Sequence, residues 1–257
     1  MHSGKFSGFR HDAAEHRCPQ ERQVFLTPDA RLLTPLVIAI DGPSASGKSS
    51  TATAVAREIG ALHLDSGALY RALTAVARDL PDRTGEAVVR VAEARDLELR
   101  EIAGELVPFL DGRDVEPLLR TPEVTALVSE VSAMGPVRDW VNARLRAAVH
   151  TDRPVVIDGR DIGTVVFPRA PVKIFLIATP EARARRRLLQ RGQDPDPGQI
   201  AREAGRLAER DRLDSSRVIA PLAPAADAVV LDTTGLEFEE QIGQIVRVVR
   251  ERMSLGS

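Results

Sequence analysis

Leu36-Val37-Ile38-Ala39-Ile40-Asp41 runs directly into Gly42-Pro43-Ser44-Ala45-Ser46-Gly47-Lys48-Ser49. An apolar run of strand length followed by G-x-x-x-x-G-K-[ST] is the phosphate-loop pattern in its required place, between a buried strand and a helix. Glycines let backbone N–H groups turn inward around phosphate oxygens, and the helix adds its positive N-terminal end. In this pattern the backbone from Gly42 to Ser50 cradles the phosphates, Lys48 reaches the terminal ones and the Ser49 hydroxyl can ligate Mg²⁺.

Downstream of the loop, strand and helix alternate. A helix is expected to about Glu58, a strand over Ala61–Asp65 and a helix from about Gly67 to Arg78. Later strands are expected at Pro154–Asp158, Val172–Ile177 and Ala228–Leu231, with a basic helix from Pro180, a charged one over about Gln199 to Leu213, and a last one over Glu237–Arg252. That pattern makes an α/β fold: a five-stranded parallel sheet with helices on both faces. Ligands belong at the carboxyl ends of such strands. Residues 81–150 interrupt the alternation with one helix, two short strands at Leu97–Leu99 and Glu105–Leu110, and two Pro-initiated helices, and read as an inserted substrate-covering subdomain. Gly192–Gly198 reads as a mobile loop.

The chain has 257 residues, 43% hydrophobic and 28% charged, ordinary for a globular protein. A formal net charge of -2 argues against general nucleic-acid binding. With a single cysteine, Cys18, no intrachain disulfide can form, which fits a cytoplasmic setting. No apolar run approaches the ~18 residues that a membrane span needs. Residues 1–34 lack periodicity and lack the apolar stretch of a signal peptide, and are expected to be a disordered extension or to follow from an upstream start site. Residues 35–252 then form the folded domain and 253–257 a tail. Nothing demands more than a monomer.

Four clusters carry chemistry. Asp158 ends a buried strand, where a P-loop enzyme keeps a carboxylate for the water shell of its metal. Arg160 and Asp161 follow at the same strand end and need partners if buried, a phosphate for one and a polar base for the other, with a mutual surface ion pair as the alternative. Arg71 stands one turn into the helix after Asp65, on the side that faces the loop, with the planar fork that suits phosphate. On the basic helix Arg183, Arg186 and Arg187 share a face while Arg185 points away; such like charges repel unless an anion meets them. Arg210, Asp214 and Arg217 also recur at helical spacing, which by itself reads most simply as a surface ion-pair ladder.

Together these segments resemble the bacterial cytidylate kinases, within the nucleoside monophosphate kinase family. The matching text is Ile40–Ser50, Leu64–Arg71, Arg120–Val124, Glu209–Asp211, Asp214–Arg217 with Ala220–Leu222, and above all Asp158-Gly159-Arg160-Asp161-Ile162-Gly163-Thr164-Val165-Val166-Phe167-Pro168. The likeness runs from about Leu36 to Arg252 and departs from the family pattern mainly in residues 1–34. It implies ATP-dependent phosphorylation of CMP and dCMP, with Mg²⁺, in pyrimidine nucleotide metabolism. By resemblance the CMP phosphate lies on Arg71, Arg160 and Arg217, with Ser66 nearby. Ser129, Arg138 and Asp161 read cytosine, with Ser132 one turn beyond Ser129 on nearly the same face. Arg210 and Asp214 lie near the sugar. Arg183, Arg186 and Arg187 belong to a lid, about residues 183–210, that closes over ATP, and 81–150 is an enlarged monophosphate-binding insertion. The rivals are another P-loop small-molecule kinase, such as a uridylate or shikimate kinase, and a nucleotide-driven switch protein. A switch protein needs no second cluster of anion-binding arginines.

Overall fold

Alternate residues of the first strand serve opposite sides of one sheet. Val37 and Ala39 of β1 (Val37–Asp41) face one apolar core, and Ile38 and Ile40 the other. A strand covered on both faces must be apolar throughout, and this one is buried along its whole length. The computed structural model describes Met1, residues 36–149 and residues 153–254. Apart from Met1, the expected N-terminal extension lies outside the described residues.

The elements follow in alternation. α1 (Lys48–Ile59) ends at Gly60 in the left-handed conformation and leads to β2 (Leu62–Asp65) and α2 (Ser66–Arg78). Next come α3 (Gly85–Ala94), β3 (Glu98–Ile102), β4 (Glu105–Leu110), β5 (Arg113–Asp114), α4 (Glu116–Leu119), α5 (Pro122–Val131) and α6 (Gly135–Ala147). The chain then resumes with β6 (Val155–Gly159), a single π turn (Ile162–Val166), β7 (Val172–Ile177), α7 (Pro180–Gln190), α8 (Pro197–Ser215), β8 (Val229–Asp232) and α9 (Phe238–Ser254).

Strand order is β3-β4-β2-β6-β1-β7-β8, with β5 paired to β4. The five expected parallel strands lie together as β2-β6-β1-β7-β8, with β8 at the edge, but among the described residues the sheet has eight strands. The strands of residues 81–150 do not stand apart: β4 pairs parallel to β2, His63 opposite Glu105 and Leu64 opposite Leu106. An unpaired β2 edge would leave its peptide groups without partners, and β4 supplies them. β3 and β5 pair antiparallel to β4. On one face α2, α3, α5 and α6 bury Leu69, Leu73, Val88, Val128 and Val141; on the other, α1 and α9 bury Val55, Ile245 and Val249.

Three boundaries differ from expectation. α4 was not foreseen; the Asp114 carboxylate accepts the Glu116 N–H at 2.8 Å and starts it ahead of Pro117. α8 begins at Pro197, because Asp196 and Gln199 form a reciprocal capping box, and it runs on to Ser215, so Asp214 is helical. α9 continues to Ser254, taking Met253 and Ser254 out of the expected tail.

Register brings the carboxyl ends of three strands level: Asp41 lies beside Gly159, and Asp65 beside Asp158. From β1 the chain crosses to β2 on one side, while β7 flanks β1 on the other. A cleft opens at that reversal.

Candidate active site

The loop after β1 is shaped by contacts that exclude a side chain. A Cβ on Gly42 would sit 2.3 Å from the Leu176 carbonyl oxygen of β7, and Gly47 caps α1 with φ +90. Behind the loop, the Lys48 ammonium donates to the Pro43 carbonyl at 2.6 Å and lies 3.4 Å from Ser46 Oγ. Burial, then the neighbouring Arg160 guanidinium, push Lys48 well below the usual lysine range, against the pull of Asp158, Asp41 and Asp65. An anion placed on the loop would reverse that balance.

At the next strand end, Ser49 Oγ donates to Asp158 Oδ2 at 2.7 Å. The other carboxylate oxygen is 2.9 Å from His63 Nε2, whose Nδ1 is 3.1 Å from Thr53 Oγ1. Burial alone would lower the imidazole, but the hydrogen bond and charge of Asp158, with Asp65 and Glu105 behind it, raise it above its ordinary value. Among the described residues no group of three or more His, Cys, Asp or Glu forms a closed metal cage. One hydroxyl and one carboxylate at a polar cavity wall do fit a hard cation such as Mg²⁺, which keeps several waters and shares substrate phosphates.

A cavity of about 1100 Å³ opens over this loop. Its walls include Ser44, Ala45, Gly47, Lys48, Ser49, Ser50, Ser66, Arg71, Arg138, Asp158, Arg160, Asp161, Arg186, Arg187, Arg210, Asp214 and Arg217. Thus Arg71, Arg160 and Arg217, from α2, the end of β6 and the segment after α8, converge. With Lys48, Arg120, Arg138, Arg186, Arg187, Arg191 and Arg210 they outnumber the carboxylates Asp65, Asp158, Asp161 and Asp214 on the same walls. Burial and mutual repulsion hold Arg71 and Arg217 down: Arg71 is lowered by burial and by Arg120 and Arg160, and Arg217 by burial and by Arg138 and Arg160. Arg210 falls to about 10, through burial and then Arg160, and its Nε is buried without a hydrogen-bond partner. The Nε of Arg138 is likewise unpartnered.

Asp214 divides its charge, accepting from Arg160 Nε at 3.0 Å and from Arg217 Nη2 at 2.6 Å. Arg160 also donates to the Gly42 carbonyl at 3.0 Å and to Ser44 Oγ at 2.8 Å. Arg138 is ion-paired with Asp161, lies 5.6 Å from the Tyr70 ring centre and donates to the Ser132 carbonyl at 3.1 Å. Ser66 Oγ donates to the Asp158 carbonyl at 2.8 Å. The π turn that places Asp161 is pinned by Asp41, whose carboxylate accepts the Ile162 N–H at 2.9 Å and the Gly163 N–H at 2.7 Å. Burial pushes Asp41 up to about 6 against those two bonds.

Some expected residues stand elsewhere. Ser129 does not line the cavity; Ser132, one turn on, does, because its side of α5 meets Arg138 and Arg217. Arg183 points away from the cavity and is buried, donating to the Ala178 and Ser44 carbonyls at 3.1 and 2.9 Å and to Asp211 at 2.5 Å. Arg186 lines the cavity but ties to Thr233, and Arg187 pairs with Glu203 at 3.1 Å. Gly42, Pro43 and Ser46 support the loop from behind. His63, Asp41, Arg120 and Asp211 escaped sequence reading. For Asp41, Arg120 and Asp211 there was a signal, each lying in a segment that carried the resemblance; for His63 there was none beyond its place in a strand.

The family model for cytidylate kinase matches residues 38–251, which takes in every site residue from Gly42 to Arg217. The chain belongs to the cytidylate kinase family. A cytidylate kinase of Nocardia farcinica is 43% identical over 226 residues, covering 87% of this chain and 97% of that protein. One of Mycobacterium leprae is 42% identical over 226 residues, covering 86% and 98%. Among solved structures, a shikimate kinase from Bacteroides thetaiotaomicron matches over 85% of this chain and 98% of its own, at 16% identity and a TM-score of 0.44, too loose a likeness to carry any argument. Within the cytidylate kinase family, then, stands a chain whose cavity is built of convergent arginines around a phosphate loop.

Proposed function

We propose that this chain transfers the γ-phosphoryl group of ATP to CMP and dCMP, giving CDP and dCDP in pyrimidine nucleotide metabolism. As a member of the cytidylate kinase family it is a kinase, a transferase of phosphoryl groups. The observation that carries the reading further is the convergence of Arg71, Arg160, Arg210 and Arg217 on the walls of the cavity that also holds Lys48. Such a cavity favours two polyanions brought end to end.

In this reading the loop from Gly42 to Ser50 cradles the ATP phosphates, with Lys48 at the terminal ones. Arg71, Arg160 and Arg217 hold the CMP phosphate, with Ser66 beside them. Arg138 and Asp161 read cytosine with Ser132, and Arg210 and Asp214 lie near the sugar. Arg186 and Arg187, on the α7–α8 hairpin, meet the ATP phosphates when the hairpin closes as a lid, excluding water that would otherwise hydrolyse ATP. Residues 81–150 are the monophosphate-binding insertion. Ser49 and Asp158 would hold Mg²⁺, which when bound adds positive charge and orients the phosphates. The acceptor oxygen is already anionic, so no general base is required, and alignment with charge neutralisation is the main task.

Among the described residues no helix is long and apolar enough to cross a membrane, which suits a cytoplasmic enzyme of small nucleotides. We read it as a monomer without nucleic-acid partners. Incubation with ATP, Mg²⁺ and each nucleoside monophosphate in turn tests the function. ADP formed with CMP and dCMP well above UMP, AMP and GMP is expected; equal ADP with and without acceptor would refute it.

A further inference from the structure

Ser44, in the middle of the phosphate loop, is gripped through its own peptide groups. Its N–H donates to Asp211 Oδ1 at 3.1 Å, and its carbonyl accepts from Arg183 Nη1 at 2.9 Å. Arg183 and Asp211 pair at 2.5 Å, closing a ring of three partners from α7, α8 and the loop. Arg183 is 4% exposed, so its charge leans on Asp211 rather than on water.

The next residue is held as well. Ala45 adopts φ +59, unusual for a residue with a Cβ, and packs against the small core of Ala184, Ala204 and Leu207 between α7 and α8. The same hairpin presents Arg186, Arg187 and Arg210 to the cavity. Loop shape and the placement of these cations are therefore tied to one body.

We propose that Asp211 is a positioning residue for ATP: with Arg183 it clamps the Ser44 peptide to the α7–α8 hairpin and thereby presets the phosphate loop for the triphosphate. This rests on the kinase reading above. Ser44's outward-turned N–H and carbonyl leave the amides at the α1 N-terminus to face the cavity, where a phosphate meets them. The clamp acts first on the donor side; because Ser44 Oγ also accepts from Arg160 at 2.8 Å, the CMP side should feel a smaller effect.

The test compares Asp211→Ala and Asp211→Asn in the full chain, reading the KM of ATP, the KM of CMP and the exchange rate of the Ser44 amide by NMR without nucleotide. Loss of a charge-assisted bond predicts about a tenfold rise in ATP KM for Asp211→Ala, with CMP KM within about twofold. Ser44 exchange should accelerate by about tenfold or more. Asp211→Asn keeps an acceptor for the Ser44 N–H while losing the ion pair, and should fall between; it carries the test if the alanine variant does not fold. Unchanged exchange in the variants, faster exchange with no change in ATP KM, or ATP and CMP KM rising by the same factor would each overturn the proposal. Exchange is read without turnover, so failure of the wild-type chain to phosphorylate CMP would remove the function and still leave the clamp decided.

Discussion

Asp161 shows how much one side chain is asked to do. It is buried, bonded to Arg138, and sits on a turn held by Asp41. In the proposed reading a carboxylate there accepts a hydrogen bond from the amino group of cytosine, where uracil presents a carbonyl. Asp161→Ala is therefore expected to cut the CMP/UMP ratio of kcat/KM by about tenfold or more; an unchanged ratio would place cytosine elsewhere. Asp41 predicts a pH effect. Its carboxyl titrates at about 6 folded, against 3.8 for an unperturbed group. Between those values the folded chain keeps a proton that the unfolded chain has released. Stability from this residue is thus highest below about pH 4, falls as pH rises to 6, and stays about 3 kcal/mol lower above it. Denaturant titrations of wild type and Asp41→Asn from pH 4 to 7 check this. The wild type should lose ground against the variant across that window, and parallel profiles would clear Asp41. With Lys48 placed at the terminal phosphates in the proposed reading, Lys48→Met should lower kcat by about a hundredfold or more while the fold persists, read by steady-state rates beside a thermal melt.

At the scale of elements, caps and close approaches decide where the chain turns. Asp196 starts α8 by accepting the Gln199 N–H at 2.8 Å. Asp196→Ala should cost about 1 kcal/mol, seen as a lower melting midpoint with CMP KM unchanged, because the box lies far along the helix from Asp214. The phosphate loop, the five core strands and the Gly159–Pro168 stretch were legible because their signals are local: a glycine spacing, an apolar run, a fixed string of residues. What could not be read was set by tertiary placement. The pairing of β4 on β2 depends on which edge is free. Ser132, the C-cap of α5, rather than Ser129 meets the cavity, where it contacts Arg217 and Arg138; 3.6-residue periodicity places both serines near one face. Arg183 looked like its neighbours Arg186 and Arg187; only the depth at which α7 packs against Ala45 and Ser44 turns it into a brace.

Over the whole molecule, charge is concentrated where the net charge conceals it. A formal total of -2 coexists with a cavity whose cations outnumber its carboxylates. The composition argued against nucleic acid as a general partner and was silent about the cavity. Binding of ATP and CMP together should stabilise the entire unit, raising the melting midpoint as each concentration is raised above its dissociation constant. Added salt should weaken both affinities less than it would on an open surface, because the arginines are partly buried.

The order of the sheet carries one more consequence, for the chain as it is made. Gly42 and its brace Arg160 are separated by 118 residues, and β1 finds both of its neighbours only in β6 and β7. At roughly 5–20 residues per second of synthesis, the first strand waits many seconds on the ribosome with both edges bare. Its nucleotide affinity arrives late and all at once, when the second half of the polypeptide emerges to enclose it.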